Sequence, residues 1–92
     1  MKNEKWSCWA YDVWGNRKDG YEVNDRSEIG VFDISEKILD NEKQLKRWIR
    51  KTFGLKRIQL RLDSSDENSI YIEAATDGYP IGEMIREGDE IR

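Results

Sequence analysis

The side chains able to do chemistry in this 92-residue chain are nineteen carboxylates, sixteen lysines and arginines and one thiol; there is no histidine. Without an imidazole the chain lacks the usual general base and the commonest metal ligand, and Cys8 alone cannot build a thiolate zinc site or an intrachain disulfide. Serine–histidine and cysteine–histidine dyads are thereby excluded. Paired carboxylates are a route to glycoside or phosphodiester hydrolysis, but so many acids in so short a chain meet by proximity alone, and a domain of this size offers little room for a pocket. The expectation is a protein that is not an enzyme. Oxygen ligands gather in Asp12, Asn16, Asp19, Glu22, Asn24 and Asp25. Their spacing departs from the calcium loop of an EF-hand, so they read as turn formers, and neither metal nor cofactor is expected.

What remains is recognition through surface pattern. Lys43, Lys46, Arg47, Arg50, Lys51, Lys56, Arg57 and Arg61 place eight positive charges in a stretch that contains no acid, while all nineteen acids lie outside it. A basic pole on an acidic body follows. The pole suits phosphate, with Lys43, Lys46, Arg47, Arg50, Lys51, Arg57 and Arg61 as the contact set. Single-stranded nucleic acid fits better than duplex, because Trp9, Tyr11 and Tyr71 on a sheet would offer stacking platforms. The acidic body suits the opposite partner: Asp19, Glu22, Asp25 and Glu28, with Asp63, Asp66 and Glu67, would complement a basic groove on another protein. A surface with two poles also permits self-association into a homodimer.

These residues need a scaffold, and the sequence supplies one. Ten aromatic residues provide apolar area in a chain that is otherwise 38% charged, which excludes disorder and allows one modest core over a single domain, residues 1–92. Lys5–Trp14 reads as a strand buried on much of both faces, residues 15–20 as a turn, and Tyr21–Asn24 and Ile29–Ile34 as two further short strands, with a bulge at Gly30. A helix is expected over about 41–53, with Asp40 as its N-cap, Gly54 as its stop, and Leu45, Trp48, Ile49 and Phe53 as one apolar stripe. Ile58, Leu60 and Leu62 alternate with polar residues, as do Ile70, Ile72 and Ala74, which predicts an antiparallel hairpin across the loop 64–68. A turn at 76–80 returns the chain into a last strand, Ile81–Arg86, and Gly88–Glu90 leads into a short tail. The sum is an α+β fold: a mostly antiparallel sheet of about five to six strands packed on one α-helix. One helix covers one face only, so aromatic surface left on the other face would be a contact site.

The segment Ala10-Tyr11-Asp12-Val13-Trp14-Gly15-Asn16, followed by Asp19-Gly20-Tyr21-Glu22-Val23-Asn24-Asp25, resembles one found in small uncharacterised bacteriophage proteins, in which an Asp-Gly-Tyr-Pro like residues 77–80 also occurs. The resemblance covers about a quarter of the chain and carries no activity with it. It implies a protein that binds host machinery, defence systems included, or phage nucleic acid. On that reading Trp14, Asn16, Asp19, Tyr21, Glu22 and Asp25 form a contact loop for a protein partner. No apolar run is long enough to cross a bilayer, and Met1–Lys5 leads into a tryptophan-rich strand and not a signal segment. The expected setting is the cytoplasm of an infected bacterial host, with no membrane contact.

Overall fold

The structure, a computed structural model, describes residues 3–87. The tail expected from Gly88 lies outside the described residues. Strands β1 (Asn3–Asn16) and β2 (Gly20–Ser35) form a long hairpin, helices α1 (Glu36–Leu39) and α2 (Glu42–Thr52) follow, and β3 (Leu60–Asp66), β4 (Ser69–Ala74) and β5 (Pro80–Arg86) complete an antiparallel sheet. The strand order is β2-β1-β5-β4-β3, so the first strand occupies a position inside the sheet, flanked by the second and the last. At about 3.3 Å per residue the fourteen residues of β1 span roughly 45 Å. This strand sets the 46 Å long axis of the molecule.

The sheet has five strands, not six, because the expected segments Tyr21–Asn24 and Ile29–Ile34 belong to one strand. Their polar link, Asp25–Glu28, looks like a loop in sequence since the two-residue alternation breaks there. It breaks because β2 carries two bulges against β1: Ile29 is extra between the pairs Cys8–Gly30 and Trp9–Glu28, and Asn24 is extra between Asp12–Asp25 and Val13–Val23. The first falls beside Gly30, where the sequence suggested one. Of Lys5–Trp14, expected to be buried on much of both faces, Trp6, Ser7 and Cys8 are buried, and exposure rises toward Asn16.

There are two short helices in place of one. Ser35 caps α1, its Oγ accepting from the Ile38 N–H at 3.3 Å. Asp40 does not cap the long helix. Its N–H bonds the Glu36 carbonyl at 2.8 Å to end α1, and Asn41 takes the N-cap, its Oδ1 accepting from the Gln44 N–H at 3.1 Å. At the other end Gly54, with φ +67°, lets the Leu55 N–H reach the Arg50 carbonyl at 2.8 Å and its own N–H reach Lys51 at 3.4 Å, the Schellman arrangement that stops a helix.

The stripe on α2 faces the sheet as its spacing requires. Leu45 and Ile49 are buried against Trp6, Cys8, Ile34, Leu60, Ile70, Ile72 and Met84, with Trp48, Phe53 and Phe32 packed at the margin. Phe32 and Trp48 meet edge to face, centroids 5.6 Å apart. Cys8 is fully buried, which pushes its thiol up to about 12 and leaves it inert. At the seat of the helix terminus stands Gly82, where a Cβ would collide with the Trp9 carbonyl oxygen and lie 2.8 Å from the Phe53 ring. Since backbone cannot yield, Gly82→Ala should lower unfolding free energy by about 1–3 kcal/mol or more, read as a reduced urea midpoint at unchanged slope.

Candidate functional site

Alternation along β1 sends Glu4, Trp6 and Cys8 to the helix side, while Lys5, Ser7, Trp9 and Tyr11 point to the side that no element covers among the described residues. Two of the strand's three tryptophans, Trp6 and Trp9, are fixed alike, each donating its indole N–H to a side chain two residues earlier on its own face. Trp6 bonds Glu4 Oε1 and Trp9 bonds Ser7 Oγ, each at 3.1 Å. Ser7, a buried hydroxyl, in turn donates to the Ile85 carbonyl at 3.2 Å, so the indole of Trp9 is anchored to β5.

Over the exposed side of that ring lies Arg26, its guanidinium carbon 4.3 Å from the centroid, in a cation–π contact. Arg26 reaches across β1 to pair with Glu83, and Tyr11 donates its hydroxyl to the other oxygen of the same carboxylate at 2.6 Å. Burial first, and then the bond to Glu83, hold the Tyr11 phenol well above its ordinary value, so it remains a donor at any working pH. Tyr71 stands opposite Glu83 on β4 and is 45% exposed; Val23 and Val31 on β2 are 44% and 48% exposed. The uncovered face is thus a pre-organised surface: aromatic and aliphatic groups around one neutralised ion pair, its rotamers held by hydrogen bonds before any partner arrives.

Beyond Tyr11 the hairpin leaves the body. β1 pairs with β5 only over Trp6–Ala10, and from there the two strands continue as an arm to a turn at Arg17–Asp19. The arm is braced. Tyr21 donates its hydroxyl to Asp77 Oδ2 at 2.9 Å and packs edge to face on Tyr79, centroids 5.1 Å apart, while the Tyr79 N–H bonds Asp77 Oδ1 at 3.1 Å. The two Asp-Gly-Tyr triplets, far apart in the chain, therefore meet through their last and first residues.

The residues expected at a contact loop separate into two groups. Trp14, 61% exposed, lies opposite Glu22, and Asp25 follows on the same side of the arm, so these three present a free surface. Asn16 and Asp19 instead bond each other, the Asp19 N–H to Asn16 Oδ1 at 2.8 Å, and Tyr21 is spent in the brace.

The basic set is also divided. Lys43, Arg47 and Lys51 are exposed on α2, and among the described residues no carboxylate pairs with them. Lys46 pairs with Glu42 at 2.8 Å, one turn away, and Arg50 spends its Nε on the Ile58 carbonyl at 2.9 Å, bordering a cleft of about 380 Å³ with Arg57 and Gln59. Arg61 does not extend this field. With Leu60 and Leu62 in or against the core, it projects from the uncovered face, where it pairs with Glu73. On that face Lys5, Arg26 and Arg61 stand among Glu28, Asp33, Asp63, Glu73 and Glu83, so the aromatic surface is mildly acidic; Arg26 and Arg61 are paired there, Lys5 has no carboxylate partner among the described residues, and Lys43, Arg47 and Lys51 lie across the sheet. Among the described residues no group of three or more Cys, Asp or Glu is placed to hold a metal ion.

Sequence reasoning passed over Arg26 and Glu83, which organise the uncovered face. One signal was present: Arg26 is the single base in the acidic run from Asp19 to Glu28.

The brace carries a pH signature. Its hydrogen bond raises the Tyr21 phenol and lowers the Asp77 carboxyl. Tyr21 therefore supports the arm below its unfolded value of about 10 and ceases to as pH rises through the higher folded value; Asp77 does so above about 3.9 and ceases to as pH falls through its lower one. The Tyr21 ring signals should be constant in NMR spectra between those limits and move outside them, with an alkaline midpoint above that of a free phenol and an acid step that Asp77→Asn removes. A Tyr21 alkaline midpoint at the ordinary phenol value of about 10 would contradict the brace. Comparison of the chain with protein-family models, with curated proteins and with solved structures finds no match.

Proposed function

We propose that this protein is a binding module, without catalytic activity of its own, that docks a protein partner on the uncovered face of its sheet. Trp9, Tyr11, Tyr71 and Val31 serve as apolar anchors, and the Arg26–Glu83 pair as the charged centre. Trp14, Glu22 and Asp25 alternate onto the opposite side of the arm and lie outside this contact. One observation supports this over nucleic-acid binding: of the cations on the face of the stacking rings only Lys5 is unpaired among the described residues, Lys43, Arg47 and Lys51 lie across the sheet, and carboxylates outnumber bases around the rings, whereas a single-strand site needs several free cations beside its rings. A strand of phosphates on Tyr71 would meet acid, whereas a basic protein surface would meet complementary charge. The segment resembling phage proteins makes a host protein, a defence component among them, the partner class to test first, in the cytoplasm of an infected bacterium.

A second reading rests on Lys43, Arg47 and Lys51, whose charges face solvent without carboxylate partners. It assigns nucleic acid to the outer face of α2.

The two readings separate by variant. Host proteins retained by the immobilised chain should be lost at least tenfold with Tyr71→Ala plus Val31→Ser, both exposed positions, and kept with Arg47→Glu plus Lys51→Glu. If the helix variant alone abolishes binding, and oligonucleotide affinity falls steeply with salt, the nucleic-acid reading replaces this one.

A further inference from the structure

Among the described residues the sixteen-residue strand β2, Gly20–Ser35, is an edge: it pairs with β1 alone, and no strand pairs with its outer side. Val23, Ile29 and Val31 are 44%, 39% and 48% exposed on it. A long edge with exposed aliphatic residues is a template for another strand, and charges and bulges are the usual devices that prevent such pairing. Here both devices are present, and both become complementary in one arrangement.

That arrangement is a second copy of β2, antiparallel, about a two-fold axis at Ser27. On the uncovered face β2 presents Tyr21, Val23, Arg26, Glu28, Val31 and Asp33, in that order. The axis sets Val23 against Val31, Arg26 against Glu28 and Tyr21 against Asp33, each twice, so that no like charges face each other while Arg26 and Tyr21 keep their bonds to Glu83 and Asp77 within each copy. On the helix face it sets Ser27 against itself and Glu22 against Phe32, and no like charges meet. The bulges agree with it. Residues 24–25 of one copy oppose 29–30 of the other, two residues against two, so the bulges at Asn24 and Ile29 offset each other and the register continues past both. Moving the axis to Arg26 or to Glu28 would put identical charges face to face at the centre, which cross-strand pairing disfavours. Of the three central registers, the one about Ser27 alone keeps like charges apart at its centre.

We propose that two copies of this chain associate through β2 in that register, fusing their five-stranded sheets into one continuous sheet. Paired residues share a face, so both uncovered aromatic surfaces come to lie side by side and both α2 helices on the reverse. The dimer then presents two partner sites in one plane, and a dimeric or repetitive partner gains avidity from it. The pairing itself holds whichever ligand the uncovered face takes.

Directly opposed residues of antiparallel strands have Cα atoms about 4.5–5.5 Å apart, within disulfide range. Exposed Ser27→Cys should therefore give a covalent dimer under mild oxidation, while buried Cys8 stays reduced. Val23→Cys and Val31→Cys should cross-link when mixed and neither with itself. Light scattering should give twice the chain mass for the wild type, and Glu28→Arg, which sets a base against Arg26 at two places, should weaken association about tenfold. A wild-type mass that stays monomeric at all concentrations overturns the proposal. So does a dimer in which Ser27→Cys cross-links no faster than the off-axis Asp25→Cys, since association would then use another surface.

Discussion

A single eleven-residue helix seated on a five-stranded sheet can cover one side of it, and that constraint shapes the rest of the molecule. Leu45 and Ile49 dock onto Cys8, Ile72 and Met84, and the close approach of Phe53 at Gly82 fixes where the helix ends. Burial on this side is the main source of stability, and it consumes the apolar residues of one alternation set in every strand. The other set is left facing water and must satisfy itself.

It does so with a small network instead of a second layer. Ser7 holds the Trp9 indole from below, Arg26 covers it from above, and Glu83 receives both Arg26 and Tyr11. Each contact immobilises a ring or neutralises a charge, so the cost of ordering this face is met during folding and is not charged to a later binding event. The same separation of sides governs the electrostatics. Even the shortest axis of the molecule, 23 Å, exceeds twice the Debye length of about 8–10 Å at physiological salt. The cations on the outside of α2 and the acidic aromatic face consequently act as independent fields.

The hairpin adds reach. Because β1 lies inside the sheet while its far half runs past β5, the arm is rooted in the core at Trp6–Cys8 and steadied at mid-length by Tyr21 on Asp77 and Tyr79. An edge strand of this length is tolerable only if its pattern restricts what can pair with it. The symmetric charges and bulges about Ser27 supply that restriction.

Period and punctuation in the sequence determined the apolar stripe of α2 and its stop at Gly54, the hairpin of β3 and β4, the last strand, and the concentration of cations between Lys43 and Arg61, because each is a local property of neighbouring residues. The continuity of β2 was not legible: two bulges shift its alternation, and a strand that changes phase twice reads as two strands and a loop. The choice of Asn41 over Asp40 as N-cap was decided by α1, whose own ending claims the Asp40 backbone. Only the tertiary structure placed Arg61 on the side away from the helix, brought the two Asp-Gly-Tyr triplets together, and gathered Trp9, Arg26, Tyr11, Glu83 and Tyr71 from four strands onto one face. The physical reason is that a side chain's face is fixed by strand register, and register is set by partners distant along the chain.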